Sequence, residues 1–326
     1  MRKNIFALAF GAMLFALSVP AAAQQPKKVP RIGYLSLFAK PGPRDEAFVR
    51  GLRELSWVEG QNLVIEYRRA ANKVEGLAAL ANELVGLKVD ILVAVATPAI
   101  QAAKNATKTI PIVMGPNADP VGMGFVASLA QPGGNITGVS GILPELAEKC
   151  LGLLREILPK LSRMAFLAYG PDPAHKLFVK QAQDAAQSFK MRFQPLVLER
   201  PDEIEGAFSA MKKERAGALI VQPLFISGLG QGPRIAELAA KNRIPSISDG
   251  FQFAETGGLM FYGPDTLALF QRAATLVDKI LKGRTPADLP VEQPMKFDFV
   301  INLQTAKKIG VDIPQSVLFR ASKVIQ

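Results

Sequence analysis

The stretch that decides the fold is RIGYLSLFAKPGPRDEAFVRGLRELSWVEGQNLVIEYR, residues 31–68. Its apolar run at 31–37 predicts a strand, and the apolar residues of 44–55 recur at the spacing of one helix face. Gly60 marks a turn before a second apolar run at 63–68, which predicts another strand. These three segments form a βαβ unit, from which parallel sheets covered by helices are built.

The same alternation of strands and helices continues along the chain. Further strands at 91–96 and 110–114, with helices at 74–84 and 98–106, complete one doubly wound unit. A second series with the same period begins near Glu145. Its predicted helices are 146–158, 174–189, 204–213 and 232–241, and its predicted strands are 164–168, 192–198, 218–222 and 244–248. The sequence therefore predicts an α/β fold of two Rossmann-like lobes with parallel sheets.

A helix at 266–281 and a strand at 297–302 are left over after the two series. We expect the helix to pack on the first lobe and the strand to join the second, so that the chain crosses repeatedly between lobes and forms a hinge. The predicted organisation is a signal peptide at 1–23, a first lobe of 29–142 plus 265–294, and a second lobe of 143–264 plus 295–326. A cleft between hinged lobes can enclose a ligand.

The first residues have the composition of a secretory signal peptide. Arg2 and Lys3 precede an uncharged apolar run at 5–19, and the small residues at 21–23 favour cleavage after Ala23. A retained membrane anchor is the alternative, although the run is shorter than the roughly 20 residues that span a bilayer. Because no cysteine lies near the cut, we expect a free periplasmic protein and not a lipoprotein.

The composition argues against several other classes of protein. The net charge is +11, but the basic residues are spread along predicted helices, so we expect no nucleic-acid partner. His175, the one histidine, has no arrangement typical of a triad or a metal site, and the one cysteine, Cys150, lies in an apolar-periodic run typical of a core. The Gly-rich stretches match no nucleotide-binding motif. We therefore predict no catalytic residue, no metal and no cofactor.

Ligands of open α/β sheets bind beyond the carboxyl ends of the strands, which selects a set of candidate ligand-binding residues. In the first lobe these are Ser36, Leu37, Phe38, Thr97, Pro98, Ala99, Asn117 and Asp119. In the second lobe they are Tyr169, Gln222, Phe225, Asp249 and Phe253.

Two of the strand ends indicate a specific chemistry. Thr97 before Pro98 is typical of a helix N-cap, which would leave the N–H groups of Ala99 and Ile100 free for a carboxylate, although an ordinary cap has the same pattern. Asp249 is the acid that would pair with a ligand ammonium, although Asp before Gly is also common in turns. The aromatic candidates are either walls of the cleft or core residues. These alternatives stay open.

Several short motifs, taken together, resemble the substrate-binding proteins of ABC transporters, in the family with bacterial tryptophan- and tyrosine-binding members. The resemblance covers essentially the whole chain after the predicted cleavage site. The motifs are GLREL (51–55), EGQN (59–62), IEYR (65–68), AAKxAT (102–107), IPIV (110–113), DPV (119–121), LAQPGGNITG (129–138), GGLM (257–260) and YGPD (262–265).

The resemblance implies a type I periplasmic-binding-protein fold with three interlobe crossings and a ligand enclosed between the lobes. It also implies delivery to an ABC transporter permease in the inner membrane. The ligand carboxylate would bind Ser36, Thr97, Pro98 and Ala99, and the amine would bind Asp249. We expect a monomer, without enzyme activity, that captures an amino acid, aromatic or otherwise, or a similar small carboxylate. The alternative is a ligand-sensing periplasmic module that acts on a membrane receptor.

Overall fold

The computed structural model describes residues 28–326, so the predicted signal peptide at 1–23 lies outside the described residues. The strands of this part are β1 Arg31–Ser36, β2 Val64–Arg69, β3 Ile91–Val95, β4 Ile112–Met114, β5 Ile136–Gly138, β6 Arg163–Tyr169, β7 Arg192–Leu198, β8 Ala218–Val221, β9 Ser246–Ser248, β10 Met260–Pro264, β11 Phe297–Asn302 and β12 Lys323–Ile325. The helices are α1 Pro43–Glu54, α2 Leu77–Gly86, α3 Thr97–Ala106, α4 Leu146–Ile157, α5 His175–Ser188, α6 Ile204–Lys213, α7 Gly232–Lys241, α8 Thr266–Leu281, α9 Leu303–Ile309 and α10 Gln315–Leu318.

The strands form two sheets, and each sheet with its covering helices is called a lobe below. The first lobe has five parallel strands in the order β2-β1-β3-β4-β5. The second has seven strands in the order β12-β11-β10-β9-β8-β6-β7, which are parallel except for the antiparallel pair β10 and β11. Two mostly parallel sheets covered by helices confirm the predicted α/β fold.

The late helix α8 packs on the first lobe, against α1. The close approach of the two helices depends on Gly51, where an added Cβ would lie 3.0 Å from the Cβ of Ala274. The indole N–H of Trp57, just after α1, donates to a carboxylate oxygen of Asp278 on α8 at 2.9 Å. The chain then returns to the second sheet through β11 and β12. It thus passes between the lobes after β5, before α8 and after α8, while the predicted lobe boundaries stay a prediction.

Short strands are where the structure differs most from the sequence prediction. The sequence of 251–264 is Gly-rich and loop-like, but β10 runs through its end, paired with β9 on one side and β11 on the other. Strands β5 and β12, of three residues each, also had no counterpart in the prediction. Within residues 28–326, no helix is long and apolar enough to cross a bilayer.

One cluster of buried apolar side chains continues from the first lobe into the second. Leu37, at the end of β1, belongs to the same cluster as Leu224 and Phe225, which follow β8. A Cβ added at Gly228 would lie 3.1 Å from a methyl group of Leu37. The turn Leu224–Gly228 therefore packs directly against the carboxyl end of the first sheet, and the two lobes meet there.

Candidate functional site

A cavity lies between the lobes, where the carboxyl ends of strands from both sheets face each other. The volume that the centre of a water-sized sphere can occupy in this cavity is about 80 Å³. The first lobe and α8 contribute Phe38, Arg44, Val95, Ala96, Thr97, Pro116, Asn117, Thr266 and Phe270. The second lobe and the crossing segments contribute Leu143, Asp172, Phe178, Pro223, Leu224, Ser227, Gly228, Asp249, Phe251 and Pro264.

The cavity wall is largely apolar and carries four phenylalanines. Phe38 and Phe270 come from the first lobe and its late helix, and Phe178 and Phe251 from the second lobe. Flat aromatic faces on both sides of a cavity favour a ligand with an apolar or aromatic part, because they bury a large area with few rotatable bonds.

Asp249 follows β9 and faces this cavity. Its Oδ2 atom is buried and has no hydrogen-bond partner among the described residues. Burial raises the pKa of this carboxyl well above its ordinary value, because a carboxylate loses its hydration in an apolar setting. A ligand ammonium next to Oδ2 would supply both the missing donor and the compensating charge.

Asp172 is a second acid of the cavity, and the sequence prediction missed it. It follows β6 and is 3% exposed. Its Oδ1 accepts from the N–H of Ala174 at 3.0 Å, and its Oδ2 accepts from Nε2 of Gln222 at 2.6 Å. Burial raises the pKa of Asp172 to about 6, against the opposing effects of the Ala174 hydrogen bond and the charge of His175.

Gln222 acts on the cavity through Asp172. While its Nε2 holds Asp172, its Oε1 accepts from the backbone N–H of Tyr169 at 2.7 Å. Gln222 is fully buried and joins the ends of the neighbouring strands β6 and β8. It therefore positions a residue of the cavity wall and does not itself line the cavity.

Arg44, in the first turn of α1, is the other charged residue that the prediction missed. Its guanidinium carbon lies 3.8 Å from the ring centroid of Phe38 and 5.9 Å from that of Phe251. Its Nη2 donates to the carbonyl oxygen of Ser227 in the other lobe at 3.4 Å. The neighbouring acid, Asp45, forms its ion pair with Arg69 at 2.9 Å and not with Arg44. Burial lowers the pKa of Arg44 to about 10, so that it is a cation at neutral pH.

Asn117 is buried at the end of the first sheet, and its amide group donates hydrogen bonds but accepts none from the described residues. Its Nδ2 donates to the carbonyl oxygens of Gly115 at 3.1 Å and Val139 at 2.9 Å. Its Oδ1 is buried without a partner among the described residues, like Oδ2 of Asp249. The cavity thus contains two acceptors that lack donors, one from each lobe, and such acceptors favour a ligand that carries N–H groups.

The structure brings some of the predicted site residues to the cavity and leaves others outside its wall. Phe38, Thr97, Asn117 and Asp249 line it. The predicted residues that do not line it are Ser36, Leu37, Pro98, Ala99, Asp119, Tyr169, Gln222, Phe225 and Phe253. Contact with a ligand stays a prediction for all of them.

The reasons for these placements are local. Ser36, Leu37, Phe225 and Phe253 are each fully buried in the packed interior. Tyr169 packs edge-on against Phe225, with 5.7 Å between the ring centroids. The carboxylate of Asp119 closes a turn, because it accepts from the N–H groups of Val121 and Gly122 at 3.0 and 2.9 Å.

The predicted free N–H groups at the start of α3 are not there, so this prediction was wrong. The helix begins at Thr97, one residue earlier than expected, and Ala96 becomes its N-cap. The carbonyl of Ala96 then accepts from the N–H groups of Ala99 and Ile100 at 3.0 and 3.1 Å. The N-cap carbonyl accepts the first intrahelical bonds, so a helix that begins one residue earlier engages both N–H groups.

The hydroxyl oxygens of the other two predicted carboxylate contacts accept hydrogen bonds, while their O–H groups can still donate. The hydroxyl oxygen of Ser36 accepts from the N–H of Phe38 at 3.2 Å, and Ser36 is fully buried. The hydroxyl oxygen of Thr97 accepts a long bond from the N–H of Ala118 at 3.4 Å. Among residues 28–326, no group of three or more His, Cys, Asp or Glu side chains is placed to hold a metal ion.

Comparison with known proteins gives this cavity a context. Residues 44–325 match the family described as ABC transporter substrate binding protein. The chain is 29% identical over 289 residues to a tyrosine-binding protein of Clostridioides difficile, covering 87% of this chain and 82% of that one. This match over most of the chain confirms the resemblance seen in the sequence motifs.

Two solved structures show the same architecture. The ABC domain of Streptococcus pneumoniae in complex with L-Trp is 27% identical, with a TM-score of 0.83 over 91% of this chain and 99% of that one. The ligand-free, open structure of a Clostridium difficile substrate-binding protein with adhesive properties is 26% identical, with a TM-score of 0.67 over 91% of this chain and 100% of that one. The overall similarity of this chain is thus greater to the tryptophan complex than to the open structure.

Proposed function

Because the chain belongs to the family of ABC transporter substrate-binding proteins, we propose that it captures an aromatic amino acid in the interlobe cavity, in the periplasm, for import. The protein would bind and hand over its ligand without changing it chemically. Its partner would be an ABC transporter permease in the inner membrane.

The observation that carries this proposal is the combination of groups in one cavity. Phe38, Phe178, Phe251 and Phe270 offer apolar walls, and Asp249 offers a buried carboxylate oxygen without a partner among the described residues. An amino acid with an aromatic side chain supplies a ring for the walls and an ammonium for the carboxylate. A ligand without an amine would leave Oδ2 of Asp249 buried and unpaired, which costs free energy.

The relatives support the aromatic class of ligand. One curated relative is a tyrosine-binding protein, and one structural relative was solved with L-Trp bound. We propose that the lobes close over the ligand, since the cavity lies between them. Closure of this kind follows when the ligand binds the closed arrangement more tightly than the open one.

Thermal unfolding of the purified, ligand-free protein tests the proposal. We expect L-tyrosine or L-tryptophan to raise Tm, because a ligand present at 100 times its Kd stabilises the native state by about 2.7 kcal/mol. L-Leucine is the control for the aromatic ring, and D-tyrosine is the control for the configuration at the α-carbon. Unchanged Tm with all the L-aromatic amino acids, in protein shown by mass spectrometry to carry no ligand, would contradict the proposal.

A further inference from the structure

We propose that Arg44 is the receptor for the carboxylate of the ligand, so that this cavity requires an anionic group in whatever it binds. The inference rests on the proposed function, because it assigns one contact within the same cavity. Arg44 would then take the role that the motif resemblance assigns to the backbone donors of α3.

The first step is that most of the expected donors are engaged or lie outside the cavity wall. The N–H groups of Ala99 and Ile100 are bonded to the carbonyl of Ala96. Ser36 is fully buried and does not line the cavity. Both N–H bonds of the Asn117 amide go to backbone carbonyls. Of the predicted carboxylate contacts, Thr97 alone lines the cavity with a donor, its neutral hydroxyl, whereas a carboxylate is bound most strongly by charged donors.

The second step is that Arg44 does offer them. Of the described residues that line the cavity, it is the cation. One of its five N–H groups makes a long 3.4 Å bond to the carbonyl of Ser227, and no described carboxylate forms an ion pair with it. Arg44 is half-buried, and the loss of hydration of a cation that has no ion-pair partner carries a cost, which its lowered pKa reflects. A ligand carboxylate would remove that cost through paired, charge-assisted hydrogen bonds.

The third step is that the guanidinium is held in place for such a ligand. It stacks at 3.8 Å on Phe38 and lies 5.9 Å from Phe251, one ring from each lobe. Stacking fixes the plane of the group and leaves its edge free for a carboxylate.

The arrangement of charges also assigns each end of an amino acid to a different lobe. Arg44 belongs to the first lobe, whereas Asp249 and Asp172 belong to the second. A zwitterionic ligand would therefore bridge the lobes, with its carboxylate on one side and its ammonium on the other. Removing either charge from the ligand removes the contact with one lobe, so both charges contribute to closure.

The test compares two ligands that differ only in the carboxylate, L-tyrosine and L-tyrosinamide, by isothermal titration calorimetry. The proteins are wild type, Arg44→Met, Arg44→Lys and the control Arg50→Met. Arg50 lies on the same helix as Arg44, is exposed and does not line the cavity. Tm without ligand is measured for each protein.

We expect wild type and Arg50→Met to prefer L-tyrosine by about 30-fold or more, because losing one partner of a buried charge pair costs about 2 kcal/mol or more. Arg44→Met should bind both ligands with nearly equal, weak affinity, and Arg44→Lys should keep part of the preference. The Tm of unliganded Arg44→Met should equal or exceed that of wild type, because a half-buried charge without an ion-pair partner is removed. An unchanged preference in Arg44→Met, whether or not its Tm falls, would overturn the inference.

Failure of the proposed function gives a different result. If wild type binds neither L-tyrosine nor L-tryptophan, that proposal fails, and the same comparison is made with benzoate, phenylpropionate and glutarate against their amides. A carboxylate that binds wild type and loses its preference in Arg44→Met would still support the role of Arg44. Binding of amides alone, or of no member of the panel, would overturn it.

Discussion

Replacing Asp172 by asparagine should remove a pH dependence from the stability of the folded protein. The native carboxyl is 3% exposed, and burial raises its pKa to about 6 from an ordinary value of 3.8. In the unfolded chain the carboxyl loses its proton near the ordinary value. Between these two values the native state binds more protons than the unfolded state, so stability falls as the pH rises.

The size of the effect follows from the two pKa values. One pKa unit corresponds to about 1.4 kcal/mol, so a rise from 3.8 to about 6 amounts to about 3 kcal/mol. The free energy of unfolding of wild type minus that of Asp172→Asn should therefore decrease by about 3 kcal/mol between pH 3.5 and pH 7. The hydrogen bond from Gln222 contributes an offset, since the new amide presents N–H groups to Nε2, but that offset is the same at every pH.

Equilibrium urea unfolding at half-unit pH steps gives the difference directly. Asp312→Asn, at an exposed position, is the matched control. A ¹³C NMR titration of the Asp172 carboxyl, with a midpoint near pH 6, checks the same group in the native state. A wild-type-minus-mutant difference that stays level or grows with pH would refute the assignment of this proton to Asp172.

Two further predictions concern the ligand and the frame of the cleft. Asp249→Ala should weaken binding of L-tyrosine by about 2 kcal/mol or more in calorimetry, since a buried charge pair is lost, and unchanged affinity would remove Asp249 from the site. Gly138→Ala should lower the free energy of unfolding by about 2 kcal/mol or more, because its Cβ would lie 2.4 Å from the carbonyl oxygen of Met114 at a φ of +149°. Gly134→Ala, where a Cβ meets nothing within 4 Å, is the control, and equal losses in both variants would contradict the steric explanation.

The alternation of apolar runs in the sequence was enough to predict the long elements, because each βαβ unit satisfies its own pattern locally. It was not enough for β5, β10 or β12. Their existence depends on partners far away in sequence, such as the pairing of Met260 with Ile301 across β10 and β11. Three-residue strands and a strand directly after Gly257 and Gly258 carry too little local pattern to separate them from turns.

The expectation that a ligand binds beyond the carboxyl ends of the strands found part of the cavity wall, namely Phe38, Thr97, Asn117 and Asp249. It missed Arg44, which the sequence presents as one of many cations on amphipathic helices. Its burial comes from the second lobe, through the turn that carries Ser227. Arg44 and Ser227 are 183 positions apart, so no local sequence pattern indicates their contact.

Asp172 was missed for a related reason. It stands in a Gly-Pro-Asp turn, where an aspartate is ordinary. Its role depends on Gln222, which reaches it from the neighbouring strand 50 positions later. A polar residue at the end of each of two adjacent parallel strands was the signal that could have linked Gln222 and Asp172, since such ends meet at one edge of the sheet.

The packing of α8 on the first lobe has a consequence for how the chain acquires its structure. Trp57 and Asp278, which join α1 to α8, are 221 positions apart. The apolar face that α1 shares with Phe270 and Ala274 is covered only when the last fifth of the polypeptide is present. Contacts of such long range slow folding and leave apolar surface exposed in partly folded chains. Chains that end before α8 should therefore aggregate. Full-length chains should depend on chaperones until their synthesis is complete.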